Sequence, residues 1–363
     1  MNFDYNEEQQ LLADSVRRYL AKAYDFESRK KIVAGQGWSA DAWAQLAEMG
    51  LMGLPVSTEH GGFGGGAVDL MGVMEAFGEA LVVEPYLPLV IAVRLVERGA
   101  TAEQKAFLPA VVEGKAKLAF AHNEKGMRFA PDAVRTRASR KDGRWTLEGE
   151  KAAIVGASTA DKLVVSARAE ENIALFLVDI GKVSLQTYRT MDERLASDVV
   201  LRGADAEPID GGAAALQQAV DFGAALVCAE AVGAMKFACD TTLEYLKTRK
   251  QFGVPIGTFQ ALQHRIVDMY ISLEQARSMA CLAASKADAG GDPRSISAAK
   301  IKVADAARHV SQEAVQLHGG MGVTDEIAAS HLFRRLTALE MALGDTAHHL
   351  EQFVAASAEP EGT

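Results

Sequence analysis

The sequence predicts an α+β chain that is mostly α. It divides into a helical N-terminal domain (residues 1–116), a middle β-barrel or sandwich (117–208) and a C-terminal four-helix bundle (209–363). Three observations predict this. Apolar residues recur at three- and four-residue steps through both outer parts. Between them, short runs rich in β-branched residues alternate with turn signals. In the last part, Gly290-Gly291-Asp292-Pro293 separates two long periodic segments, as a bundle of antiparallel helices requires.

In the first part, Asn6-Glu7-Glu8-Gln9 supplies an N-cap and an acidic first turn for a helix with Leu11, Leu12, Val16 and Leu20 on its apolar side. Ser39-Ala40-Asp41 starts another helix, with Trp43, Leu46 and Met49 on one face. The glycine run from Gly61 to Gly66 is a loop. It has neither the preceding strand and Lys-Ser/Thr ending of a P-loop nor the spacing of a dinucleotide fingerprint. Val68 to Ala80 follows as a helix carrying Leu70, Met71, Met74 and Phe77. After Pro85 and Pro88, Leu89 to Val96 continues as an apolar helix.

In the middle part, Leu118–Ala121, Val134–Ala138, Trp145–Leu147, Leu163–Ala167, Ile173–Val178 and Val199–Leu201 read as strands, with a turn at Lys141-Asp142-Gly143-Arg144. The last part reads as four helices, at about 212–249, 258–290, 294–317 and 325–356. At the first junction the chain reads Tyr245-Leu246-Lys247-Thr248-Arg249-Lys250-Gln251-Phe252, breaks at Gly253-Val254-Pro255, and restarts at Thr258. Arg249, Phe252, Gln260 and Gln263 lie at this corner. A planar guanidinium suits bidentate contact with phosphate, and the aromatic and amides suit a nucleotide. Taken alone, the segment is equally an ordinary helix–turn–helix corner with surface charges.

A net charge of −10 argues against nucleic acid or an anionic membrane as the main partner. Cys228, Cys239 and Cys281 have no metal-type spacing and read as reduced core thiols, which places the chain in the cytoplasm. The N-terminus lacks the pattern of a signal peptide, and no apolar segment is expected to reach membrane-spanning length. His348 and His349 are adjacent and point to different helix faces, with no carboxylate at ligand spacing, so no metal is expected.

The run from Arg249 to Arg265, R-K-Q-F-G-V-P-I-G-T-F-Q-A-L-Q-H-R, resembles the flavin-contacting signature of acyl-CoA dehydrogenases. Gln316-Leu317-His318-Gly319-Gly320-Met321-Gly322 resembles the second signature of that family. The order and separation match as well, and the likeness covers essentially the whole chain. It is nearest to the small subunit of pimeloyl-CoA dehydrogenases and related short bacterial subunits.

The resemblance implies FAD as cofactor and α,β-dehydrogenation of an acyl-CoA thioester, with the substrate a dicarboxyl-CoA, a steroid side chain or another bulky acyl group. A carboxylate takes the α-proton, the β-hydride passes to the flavin, and an electron-transfer flavoprotein removes the electrons. It implies that the glycine loop precedes a helix beside the acyl cavity. It also implies FAD between the β domain and the bundle, reaching a neighbouring subunit's Arg249, Phe252, Gln260, Gln316, Gly319 and Gly320. The two glycines would admit close backbone approach.

Three departures from the family pattern stand out. The usual Thr-Glu-Pro loop reads His122-Asn123-Glu124-Lys125-Gly126, leaving Asn123 to contact the ring edge. The usual Trp-Ile-Thr/Ser segment reads Ala153-Ile154-Val155, with neither a stacking ring nor a hydroxyl. The usual glutamate near the end of the bundle falls on Leu343, and the family's alternative position falls at about Gly223. Glu340, one turn earlier, is the candidate base, with Asp345 as a second choice. Their structural readings are a pair with Arg334 or Arg335 for Glu340 and a cap for Asp345.

The reading is therefore an acyl-CoA dehydrogenase, expected as a homo- or hetero-oligomer (dimer or tetramer), in the hetero-oligomer as the small subunit with a large acyl-CoA dehydrogenase subunit as partner. The alternative is a catalytically incomplete subunit that supports a partner's FAD site. A flavin monooxygenase or nitroalkane oxidase on the same scaffold has no positive support.

Overall fold

The structure, a computed structural model, describes residues 5–130 and 133–358. Seven helices come first: α1 (Glu7–Ala23), α2 (Phe26–Ala34), α3 (Ala40–Glu48), α4 (Ala67–Ala80), α5 (Tyr86–Gly99), α6 (Ala102–Lys105) and α7 (Leu108–Val112). Asn6 and Gln9 form a reciprocal capping box on α1. Ser39 caps α3 by accepting the Ala42 N–H. On α1 the burial is carried by Ala13, Val16 and Leu20. Leu11, assigned to the apolar side, is 63% exposed.

Strands β1 (Leu118–Ala121), β2 (Arg137–Lys141), β3 (Arg144–Val155), β4 (Lys162–Ala169), β5 (Asn172–Asp179), β6 (Ser184–Arg189) and β7 (Leu195–Ile209) form one sheet. The pairings β4–β2–β3–β7–β5–β4 close a ring, with β1 added at β4 and β6 at β7. Its interior is packed by Leu147, Leu163, Val165, Phe176, Val178 and Leu201, each contributing roughly 1.5–3 kcal/mol by burial.

Two details differ from the sequence pattern. Val134–Thr136 is not yet strand, because the N–H groups of Arg135 and Thr136 turn to the Glu124 carboxylate instead of a ladder. Strand β6, with one residue half-buried and the rest exposed, lacks the apolar run that would have marked it.

Helices α8 (Gly212–Thr248), α9 (Gln260–Asp288) and α10 (Pro293–His318) follow, with the two-stranded hairpin β8 (Lys250–Gln251) and β9 (Val254–Pro255) between the first two. The expected single fourth helix is two: α11 (Ala328–Met341) and α12 (Thr346–Ala358). Leu343 and Gly344 stand at φ 56° and 119°, which an α-helix cannot include. Contrary to the sequence reading, one helix, α8, is long and apolar enough to cross a membrane. However, 89% of its most apolar window is buried inside the protein, as in a core helix.

The chain divides into two compact units. One holds α1, α4 and the chain from Ala224 onward; the other holds Ile32–Gly66 and Val83–Gly223. In the first unit α4 and α8 cross at backbone contact. A Cβ on Gly78 would fall 1.9 Å from the Glu230 carbonyl oxygen, and one on Gly233 would fall 1.9 Å from that of Glu75. Asp288 of α9 accepts the Ala67 and Val68 N–H groups and so caps α4.

Candidate functional site

In the first unit, the last turn of α8 closes with Arg249 N–H on Tyr245 O, and Ile256 N–H returns to Arg249 O. The hairpin between them carries Phe252 and Gly253 at its tip, at φ 54° and 81°. Two successive left-handed residues match the twist of a two-residue hairpin. Glycine adopts that conformation freely, whereas for Phe252 it is strained by the order of ~1 kcal/mol. Phe252 is also 91% exposed. Its only ring neighbour among the described residues is Phe259, edge-on at 6.2 Å.

The end of α10 comes to this corner. The Tyr245 and His318 rings lie 4.5 Å apart. A two-bond fork from Arg265 to Glu313, at 2.5 and 2.9 Å, ties α9 to α10. Arg249, Phe252, Gln260, Gln316, Gly319 and Gly320 are all exposed. Among the described residues the Arg249 guanidinium makes no ion pair. Gln263, also singled out by the sequence, is committed to the Gly257 carbonyl at 2.9 Å. A cavity of about 450 Å³, lined by Leu243, Leu246, Pro255, Gly257 and Ile266, opens beside the hairpin.

In the second unit, Asn123 is exposed on the loop after β1, and its carbonyl accepts the Ala152 N–H at 2.8 Å. The loop is anchored from inside the barrel. Lys151 Nζ donates to Glu124 Oε1 at 2.7 Å, Ser166 Oγ at 3.1 Å and the His122 carbonyl at 3.2 Å. Glu124 also accepts the Thr136 hydroxyl and the N–H groups of Arg135 and Thr136.

Burial pulls the Lys151 ammonium down to about 8, against the attraction of Glu124. The Glu124 carboxyl lies below its ordinary value despite partial burial, held there by Lys151 and the three donors. Ser166 Oγ, which accepts from Lys151, also shares a hydrogen bond with His122 Nδ1, 2.8 Å away. Burial first, and the Lys151 charge second, lower His122 to about 3. Next to this network Ala153 stands at φ 56°, at a bulge in the β3–β7 ladder.

Where the sequence seeks the base, the carboxylates are engaged. Glu340 pairs with Arg308 rather than with Arg334 or Arg335, and its side chain is 17% exposed. Asp345 accepts the His348 N–H at 2.8 Å and caps α12. Leu343 occupies the break between the helices, where its carbonyl accepts from His349 Nε2. Beneath it Lys300, 1% exposed, donates to the carbonyls of Leu339, Glu340 and Gly344 at 3.0, 2.8 and 2.9 Å.

Residues 6–115 match the acyl-CoA dehydrogenase N-terminal domain, and residues 210–358 match the acyl-CoA dehydrogenase C-terminal domain. The acyl-CoA dehydrogenase IpdE2 of Mycobacterium tuberculosis is 31% identical over 338 residues, which is 91% of each protein. The chain belongs to the acyl-CoA dehydrogenase family. FadE12 of the same organism is 29% identical over 348 residues, covering 90% of this chain and 89% of FadE12. Among solved structures, a variant of the Tcur3481-Tcur3483 steroid ACAD is 28% identical, with a TM-score of 0.91 over 97% of this chain and 98% of that one. Acyl-CoA dehydrogenases are FAD-dependent oxidoreductases acting on acyl-CoA.

The described residues fit the phosphate and adenosine end of FAD. A Cβ on Gly319 or Gly320 would meet no atom of this chain within 4 Å. Among the described residues nothing packs on Gly320, so its backbone is open to close approach by a planar or anionic group. The exposed Arg249 and Phe252 follow α8, which the Tyr245–His318 contact joins to the end of α10. For the flavin end, Asn123 offers an amide, while Ala153 and Val155 offer neither a ring nor a hydroxyl.

The structure brings the corner residues together in one unit and leaves Asn123 in the other. Sequence reasoning missed Lys151 and Lys300. Lys151 shares the inward phase of β3 with Leu147, and Lys300 falls on the buried stripe of Ile296, Val303 and Ala304. A lysine in phase with buried residues is the signal that was there to read.

Proposed function

We propose that this chain is one subunit of a hetero-oligomeric, FAD-dependent acyl-CoA dehydrogenase, lending its α8–α9 corner and the end of α10 to an FAD shared with a larger partner. The observation that carries this is the engagement of both candidate carboxylates: Glu340 by Arg308, and Asp345 by the start of α12. A base must be free to take the α-proton, so the partner supplies it. The exposed, strained Phe252 and the unpaired Arg249 complete the argument from the other side. They have the chemistry of a binding surface and no occupant within this chain.

Bound FAD would supply the acceptor for the β-hydride. The corner would hold the partner's FAD: Arg249 at the pyrophosphate, Phe252 and Gln260 at the adenosine, and Gln316 and the Gly319-Gly320 backbone alongside. Asn123 would meet the ring edge of an FAD held against the chain's own β domain. The Tcur3481-Tcur3483 steroid ACAD, named for two proteins, supports a two-component assembly and a bulky acyl group as substrate. An electron-transfer flavoprotein is the reoxidising partner, and the cytoplasm is the setting.

The test is a single-turnover measurement. FAD and a panel of acyl-CoAs are added to the purified chain, alone and co-expressed with a large-subunit homologue, and the oxidised-flavin absorbance is followed. Bleaching only in the complex, unaffected by Glu340→Gln, is the expected result. Bleaching by the chain alone that disappears in Glu340→Gln would assign the base to Glu340 and overturn the proposal.

A further inference from the structure

The β-domain face that carries Val155 also carries an aromatic ring. Register places Tyr188, Ala196 and Val155 side by side on β6, β7 and β3. Cross-strand neighbours point to the same side of a sheet. Asp198, two residues along β7 from Ala196, lies on that side too. Its Oδ1 accepts the Tyr188 hydroxyl at 2.8 Å and the Ala153 N–H at 3.0 Å. One carboxylate oxygen thus ties the phenol to the left-handed residue at the bulge. Lys125 Nζ, 3.4 Å from the other oxygen, keeps Asp198 charged and in place. The Tyr188 side chain is 38% exposed although its hydroxyl is fixed, so a face of the ring is presented to the outside in a defined orientation.

We infer that Tyr188 is the stacking surface this chain offers to the planar, electron-poor ring system of its flavin, doing from β6 what Ala153 cannot do from β3. The inference rests on the proposal that Asn123 meets the ring edge of a flavin held against this β domain. Three features support it. The ring is anchored at its tip, which lowers the entropy cost of stacking. It lies beside a residue with no side chain beyond Cβ, so nothing from position 153 shields it. It belongs to the same face as Val155, so a planar group resting on Val155 comes into reach of it. Asp198 is the positioning residue that fixes both the ring and the bulge.

The test uses FAD as the probe and flavin emission as the readout. An excited flavin takes an electron from a phenol or indole in van der Waals contact and returns it without emitting; leucine cannot donate that electron. Wild type, Tyr188→Leu and Tyr188→Trp, each co-expressed with the large-subunit homologue and freed of flavin, are titrated with FAD, following anisotropy for binding and intensity for contact. Bound FAD is expected to be quenched in wild type, bright in Tyr188→Leu and quenched again in Tyr188→Trp. The dissociation constant of Tyr188→Leu is expected to rise about fivefold, as loss of an aromatic stack implies. FAD that binds Tyr188→Leu and remains as quenched as in wild type would overturn this inference and leave the cofactor reading standing. A complex that takes up no FAD even in large excess would overturn both.

Discussion

Lys300 Nζ lies 2.9 Å from the carbonyl oxygen of Gly344, and those two residues hold open the break between α11 and α12. Without the break, the carbonyls of Leu339 and Glu340 would be consumed by the next helical turn. With it, they need a donor, and Lys300 supplies one ammonium to all three. Its burial costs free energy and lowers it to about 8. Lys300→Met should therefore destabilise the protein by about 2–4 kcal/mol, the loss of several charge-assisted bonds to buried carbonyls. Urea unfolding checks this. Hydrogen exchange should quicken first at the start of α12, and unchanged exchange there would show that the break is held by something else.

The crossing of α4 and α8 predicts a second effect. Gly78 and Gly233 each face a carbonyl oxygen that an added Cβ would approach to 1.9 Å. No rotamer relieves a clash between Cβ and backbone, so the helices must part. Either Gly78→Ala or Gly233→Ala should cost at least about 3 kcal/mol or prevent folding. Expression yield and the thermal midpoint measure the effect. A neutral result would mean that the helices can slide apart without loss of packing.

Much of this fold was legible because its elements are locally encoded. The period of Leu262, Ile266, Met269 and Leu273 marks α9, and Gly290 to Pro293 marks its end. The junction at Leu343 was legible only in part: Asp345 reads as a cap, but Leu336, Leu339 and Leu343 keep helical spacing straight through. The donor that satisfies the carbonyls at the break, Lys300, is distant in sequence. Glu124 reads locally as a surface charge, and only the closed barrel makes it the partner of Lys151, whose inward phase on β3 marks it as buried. At the corner, residue types marked the candidates and even their companions. Which of the two glutamines stays uncommitted depended on Gly257, whose carbonyl takes Gln263.

Gly320 separates binding from stability. A Cβ there would touch nothing in this chain, so Gly320→Ala should change unfolding free energy by no more than about 0.5 kcal/mol. If FAD lies against that backbone, the same substitution weakens FAD retention, and Arg249→Ala weakens it further by removing the phosphate partner. Equilibrium dialysis against FAD, run beside a melting curve, reads both quantities. Retention unchanged in both variants would remove the corner from the cofactor site.

Two of the buried histidines, His122 and His349, add a slope to the acid limb of stability. Burial first, and nearby lysines second, lower both His122 and His349 to about 3 from an ordinary 6.5. The Nδ1 of each shares a hydrogen bond with a serine hydroxyl, Ser166 for His122 and Ser297 for His349. The unfolded chain takes up a proton at each from about pH 6.5 downward, and the folded chain does so only near pH 3. Between those limits the unfolded state binds more protons, so stability falls as pH falls. The slope is at most roughly 1.4 kcal/mol per pH unit for each histidine. His122→Asn and His349→Gln should lower stability at neutral pH but flatten that slope, the double variant most. Urea midpoints taken across the window from pH 4 to 6.5 decide it. A slope as steep in the double variant as in wild type would assign the acid limb to the carboxylates instead.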